Sequence, residues 1–208
     1  MIYGVNKISA IGGVGYLASP YSKFVPREGC SDIYSSYDWA SHDIEKIAGD
    51  MLISGMVVIS PIASSHHIEK HLAKNPNVDQ GYLKSHAFWM PIDERIYDRC
   101  EYAVIAMMDS WEVSTGMAIE FGQITASGKQ VMFFDPLNST LYNITETEKK
   151  YPEKFTAFLM LAAQNVKPDY LRSSLPDQIA KTHTTITMIA KSGEDDKGGG
   201  TPPAGVPA

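Results

Sequence analysis

Four short apolar runs punctuate the chain, separated by longer stretches whose apolar positions recur three and four residues apart. The clearest run, Tyr102-Ala-Val-Ile-Ala-Met-Met108, has no charged position and predicts a strand buried on both faces. Val14-Gly-Tyr-Leu-Ala18, Val57-Val-Ile-Ser60 and Lys129-Gln-Val-Met-Phe-Phe134 predict three more strands. Between them, Ile44, Ile47, Ala48, Met51 and Leu52 place one apolar face on a helix from Ser35 to Ser54, stopped by Gly55. Phe88 to Arg99 predicts a second helix with Pro91 in its first turn, and residues 115–127 a third. Strands alternating with helices imply an α/β protein with a Rossmann-like parallel sheet flanked by helices.

The intervening segments read differently. Ser60 to His67 is expected to be a loop at the edge of the sheet reached by Ser19-Pro-Tyr-Ser-Lys-Phe24, and Leu72 to Ser85 an irregular lid. Asn138 to Asn143 reads as a loop. Thr145 to about Asn165 reads as helical, with Phe155, Phe158, Leu159 and Leu161 on it. The expected organisation is an N-terminal extension over 1–13, a main domain over 14–145, a helical extension over 146–190 and a disordered tail over 191–208.

Composition narrows the classes. A net charge of -6 argues against binding polymeric nucleic acid, which needs a basic face. No apolar run approaches the roughly 20 residues of a membrane span, and the two cysteines, Cys30 and Cys100, fit a reducing compartment. The expectation is a cytoplasmic protein without a membrane partner.

The densest chemistry lies at Asp109-Ser-Trp-Glu-Val-Ser-Thr-Gly-Met-Ala-Ile-Glu-Phe-Gly-Gln123. It runs from a strand end through a polar turn into a helix, the crevice where open parallel sheets bind ligands. Ser114, Thr115 and Gly116 can present hydroxyls and backbone N–H groups to an anion, with Glu120 one turn further on. Asp93 supplies a second carboxylate. Such a pair suits cleavage of an N-glycosidic bond, in which one carboxylate meets the developing oxocarbenium ion and the other handles the proton of the departing base. Tyr16, on the first strand, is expected to donate its hydroxyl to Glu120. Trp89 and Phe88 offer a wall for a stacked base.

Other motifs carry less. Gly12-Gly-Val-Gly15 precedes the first strand, whereas a dinucleotide fingerprint follows one. His66, His67, Glu69 and His71 invite a zinc reading, but the ligand spacing of a metalloprotease is missing, so no metal and no cofactor are expected.

Tyr16-Leu-Ala-Ser-Pro-Tyr-Ser22, Ser60-Pro-Ile62 with His66, Phe88-Trp-Met-Pro-Ile-Asp93 and Trp111-Glu-Val-Ser-Thr-Gly-Met-Ala-Ile-Glu120 occur in this order. In series they resemble a bacterial and phage family of unassigned function within the nucleoside 2-deoxyribosyltransferase-like superfamily, over roughly residues 14–136. The resemblance implies an enzyme acting on a small-molecule nucleotide as a homodimer or larger. It implies Glu120 as the catalytic glutamate at the anomeric carbon, Tyr16 as its orienter, Asp93 as its partner, and His66 as a contributor to the pocket. Six residues before the glutamate, the transferases acting on free nucleosides carry an aspartate. The 2′-deoxynucleoside 5′-monophosphate N-glycosidases carry a serine there, as this chain does at Ser114. Ser19 matches a phosphate-contacting serine of those hydrolases. Asn143 falls where a neighbouring subunit supplies an asparagine in the transferases and a serine in the hydrolases, which points the other way. The hydrolases' first loop is glycine-rich with an arginine, and Tyr21 and Lys23 stand in that loop here.

The expected function is therefore cleavage of the base–sugar bond of a nucleotide, a 2′-deoxynucleoside 5′-monophosphate, by hydrolysis or by transfer to another base, with Ser19, Tyr21, His66, Trp89, Ser114, Gly116 and Asn143 binding substrate. An NAD or ADP-ribose glycohydrolase and a nucleotide-sequestering module are the alternatives.

Overall fold

The computed structural model describes residues 12–21 and 33–165. Its elements in order are β1 (Val14–Ala18), α1 (Ile33–Ile53), β2 (Val57–Ile59), α2 (Pro61–Leu72), α3 (Gln80–Leu83) and α4 (His86–Tyr97). They continue with β3 (Tyr102–Ala106), α5 (Thr115–Ala126), β4 (Gln130–Asp135), β5 (Thr140–Tyr142), α6 (Ile144–Lys150) and α7 (Pro152–Asn165). The sheet order is β2-β1-β3-β4-β5, with the first four strands parallel. The α/β, Rossmann-like expectation is met.

Alternation along the central strands sends successive side chains into two cores. Tyr16, Ala18, Ala103, Ile105 and Phe133 point to one face, where Met117, Phe121 and Ile124 of α5 and Phe155, Phe158 and Leu159 of α7 close over them. Leu17, Val104, Ala106, Met132 and Phe134 point to the other, against Ile44, Ile47 and Met51 of α1. All five residues of β3 are buried, which is why its run carries no charge. Gly15 fits because nothing larger would: a Cβ there would lie 2.2 Å from the Tyr102 ring, whose hydroxyl donates to the Val57 carbonyl.

Several expectations are corrected. Ser60 to His67 is a helix start rather than a loop. The Ser60 hydroxyl accepts the Ala63 N–H at 3.2 Å and Pro61 occupies the first helical position, so α2 begins immediately after β2. The lid segment contains a short helix, α3, capped by Asp79. Pro91 lies inside α4 and not in its first turn, because the helix begins at His86, ahead of the apolar pattern that opens at Phe88.

The loop expected over 138–143 contains an antiparallel edge strand, β5, pairing Asp135 with Thr140. The helical stretch after 145 is two helices, broken between Lys150 and Pro152. The extension over 1–13 as far as Ile11, the helical extension beyond Asn165 and the tail over 191–208 lie outside the described residues, as do Ser22, Lys23 and Cys30. Among the described residues, no helix is long and apolar enough to cross a membrane.

Helix α7 belongs to the main core. Phe158 is fully buried and packs against the rings of Trp111, Phe121 and Phe133. Phe158→Ala is expected to lower unfolding free energy by about 3–5 kcal/mol, measured by urea denaturation. A loss below about 1 kcal/mol would show that α7 is an appendage.

Candidate active site

Strand order reverses between β1 and β3, and the site lies at the carboxyl ends of these two strands. From β1 comes Tyr16, fully buried. From the segment after β3 comes a turn in which Ser110 adopts a left-handed backbone (φ 64°), followed by a short 3-10 turn over Trp111–Val113. Ser114 then serves as N-cap of α5 by its backbone alone. Its side chain makes no capping hydrogen bond, so the buried hydroxyl is not spent on the helix. Gly116 and Glu120, four apart on α5, face one cleft, while Phe121 and Ile124 face the core.

The cleft encloses about 180 Å³. Ser19, Tyr21, Trp89, Asp93, Ser114, Gly116 and Glu120 all line it, as the sequence leads one to expect. Residues to which the sequence assigned no place in the cleft also line it: Tyr37 of α1, Ile62, Ser65 and Glu69 of α2, Lys84, and Met90 of α4. Tyr21 and Tyr37 stack with ring centroids 4.6 Å apart. The Trp89 indole N–H donates to the Leu83 carbonyl at 2.8 Å, which ties α4 to α3 and fixes the ring as a wall. Phe88 packs edge-on against Trp89 rather than lining the cleft.

The Tyr16 hydroxyl donates to Glu120 Oε1 at 2.7 Å. Burial, then the charges of Glu120 and Asp93, hold the Tyr16 pKa well above the usual tyrosine range, so it remains a donor. Burial pushes Glu120 up to about 8, against the lowering effect of the Tyr16 hydrogen bond and with a further push from Asp93. Burial also raises Asp93 to about 7. Two carboxyls in one desolvated cleft thus titrate close to neutrality, the condition for acid–base work.

Ser19 is 8 % exposed and its Oγ has no hydrogen-bond partner among the described residues. An unpaired buried hydroxyl is costly, and Ser19 is one of the residues lining the cleft.

Two expected residues stand elsewhere. His66 lies behind the cleft wall: its Nδ1 pairs with the Tyr21 hydroxyl at 2.7 Å and its Nε2 with Asp38 at 2.6 Å, so it positions Tyr21 rather than lining the cavity. Helix α2 turns it inward, whereas a loop would have left it free to reach. Asn143 caps α6, its side chain accepting the Glu146 N–H while Glu146 reaches back to the Asn143 N–H, and it does not line this chain's cleft. Glu112 pairs with Lys154 at 3.3 Å and does not line the cleft either. Among the described residues, no group of three or more His, Cys, Asp or Glu side chains is placed to hold a metal.

Fold and site together define an α/β protein with a carboxylate-bearing cleft at the switch point of a Rossmann-like sheet. Within that class, the chain belongs to the family described as Domain of unknown function (DUF1937), whose model matches residues 13–136. No curated protein matches it. The match ends at Pro136, ahead of α6 and α7, although α7 completes the core behind Glu120.

The raised carboxyls have a consequence for stability. Glu120 ordinarily titrates near 4.5 when unfolded and near 8 in the fold, so between those values the folded state binds more protons. Stability must then fall as pH rises from about 5 to about 8 and level off above. Asp93 adds to this fall up to about 7. Glu120→Gln keeps an acceptor for Tyr16 and removes the buried charge. It is expected to match the unsubstituted protein at pH 5 and to exceed it by about 3–4 kcal/mol at pH 8. Denaturation at both pH values measures this, and an equal or lower stability of Glu120→Gln at pH 8 would contradict it.

Proposed function

We propose that the cleft cleaves the N-glycosidic bond of a 2′-deoxynucleoside 5′-monophosphate. The observation that carries this is the Tyr16–Glu120 hydrogen bond at 2.7 Å beside Asp93, at the switch point of the sheet. With Oε1 held by Tyr16, the other oxygen of Glu120 is free to attack the anomeric carbon C1′. The C1′–N bond breaks with its electron pair going to the base, and protonated Asp93 delivers the proton that the base needs. A sugar ester on Glu120 results. Water, deprotonated by Asp93, then attacks C1′ and releases the sugar phosphate, returning Glu120 as carboxylate and Asp93 as acid.

Phosphate recognition rests on the unpaired Ser19 hydroxyl and on Ser114 and Gly116 at the N-terminus of α5. An aspartate at position 114 would repel a 5′-phosphate at that point, whereas serine donates to it. Lys84 adds a cation to the lining. The aromatic side chains Tyr21, Tyr37 and Trp89 suit a planar base. The enclosed volume is below the ~300–1,000 Å³ of closed drug-sized pockets, so one end of the nucleotide must project or the walls must part. Membership of the nucleoside 2-deoxyribosyltransferase-like superfamily, on the four motifs in series, supports the same activity. Assembly as a homodimer or larger goes with it, and the setting is cytoplasmic.

The full chain is incubated with each deoxynucleoside monophosphate and free base is followed by chromatography. Base release is expected, reduced about 10²–10⁴-fold in Glu120→Gln. Absence of release from every nucleotide, deoxy or ribo, would overturn the proposal.

The pH profile carries a second expectation. The productive form has Glu120 ionised and Asp93 protonated. Because Glu120 holds its proton more tightly, this is the minor of the two singly protonated forms, and its population follows that of the singly protonated pair, which is greatest between about 7 and about 8. A bell-shaped kcat/KM centred in that interval is expected. In Tyr16→Phe the lost hydrogen bond raises the Glu120 pKa further, so the basic limb, set by the weaker acid of the pair, moves to higher pH and the maximum falls. An unmoved limb would remove Tyr16 from its orienting role.

A further inference from the structure

Three residues of α2 share one face at intervals of three and four: Ile62, Ser65 and Glu69 all line the cleft. Glu69 is the third carboxylate of the cavity, and the mechanism does not use it. It is half-buried, and only burial and the nearby charges of His66 and Lys84, with no hydrogen bond to a described residue, act on its carboxyl. Burial raises its pKa, although His66 and the Lys84 ammonium both favour the charged form. A desolvated carboxylate without a hydrogen-bonding partner, facing an open cavity, is a site for donors brought by a ligand. Ser19, whose buried hydroxyl has no partner among the described residues, lines the same cavity.

The lining divides by chemistry. Ser19, Ser114 and Gly116 form the anion-binding part, and Asp93 and Glu120 stand at the reacting bond. Tyr21, Tyr37, Ile62, Trp89 and Met90 supply flat and apolar walls, and Glu69 and Lys84 are the charged groups among these walls. Granting the nucleotide reading of the cleft, the base lies among them, and its edge meets one carboxylate and one ammonium.

We infer that Glu69 and Lys84 read the edge of the base and select guanine. The two oxygens of a carboxylate accept two adjacent N–H donors, and guanine alone among the common bases presents a ring N–H beside an exocyclic amine, flanked by a carbonyl oxygen that accepts from an ammonium. Adenine and cytosine offer one amine beside an acceptor nitrogen. Thymine places carbonyls on both sides of its ring N–H, against which a carboxylate is repelled. A site built to accept hydrogen bonds discriminates against ligands lacking the donors, because its own polar groups are left unpaired.

The test is binding, which does not depend on turnover. Affinities of 2′-deoxyguanosine 5′-monophosphate and its inosine, adenosine, cytidine and thymidine counterparts are measured by calorimetry at pH 8 on full-length Glu120→Gln and on Glu120→Gln/Glu69→Gln. The guanine nucleotide is expected to bind at least about tenfold more tightly than the inosine nucleotide, which lacks only the exocyclic amine. That margin should collapse to within about twofold in the double variant. Removing a half-buried charge is expected to leave the double variant folded, checked by its thermal midpoint. Equal affinities across bases, a guanine preference that survives Glu69→Gln, or no binding of any nucleotide would each overturn the inference. Guanine selectivity without base release from the unsubstituted protein would support the reader and count against the N-glycosidase proposal instead.

Discussion

A single hydrogen bond, from the Tyr16 hydroxyl to Glu120, joins the first strand to the helix that follows the third across 104 positions of sequence. It decides the character of the cleft. A carboxyl in that position is stripped of water by the same packing that buries Tyr16, Phe121 and Met117, and it compensates for only part of that loss by accepting one hydroxyl. The carboxyl therefore holds its proton to near neutral pH, and it sits beside a second carboxyl displaced in the same direction. A fold selected for stability alone would place an apolar side chain there. The Ser19 hydroxyl and the half-buried Glu69 carboxyl, neither hydrogen-bonded to a described residue, belong to the same pattern, in which polar groups of the cleft lining are left for a ligand to satisfy.

The sheet makes this arrangement possible. Reversal of strand order between β1 and β3 opens a crevice that α2, α4 and α5 can all reach, so carboxylates from three helices meet although they are far apart in the chain. A further layer stiffens the wall. Asp38 accepts from Lys70 at 2.7 Å and pairs with His66, which in turn holds the Tyr21 hydroxyl. Tyr37 stacks on the same tyrosine. The aromatic side of the cleft is thus fixed by α1 and α2, and its reactive side by β1 and α5.

Much of this is legible in the chain. The unbroken apolar run of β3 followed by Ser-Thr-Gly and a glutamate one turn later specifies strand, turn, helix and cleft from local chemistry alone. The pairing of Tyr16 with Glu120 follows once both are placed at the same sheet edge. Helix α2 escapes the pattern because its apolar residues are few and scattered among histidines and serines, although the Ser60-Pro61 cap marks its start. Glu69 is hidden with it, since its approach to the cleft depends on helical spacing from Ile62. Strand β5 is three residues long and half-buried, too short for a period of two to register. Tyr37 and Lys84 carry no local signal at all. They reach the cleft through the packing of α1 and the turn before α4, and only the tertiary structure brings them there.

The chemistry of the cleft depends on the protonation state of Glu120. Titration of side-chain carboxyl carbons by NMR in protein labelled at glutamate, with Glu120→Gln identifying the resonance, reads it directly. Glu120 is expected to titrate near 8 and to move higher still in Tyr16→Phe. Titration near the ordinary 4.5, unaffected by loss of the Tyr16 hydroxyl, would contradict a buried, tyrosine-held carboxyl.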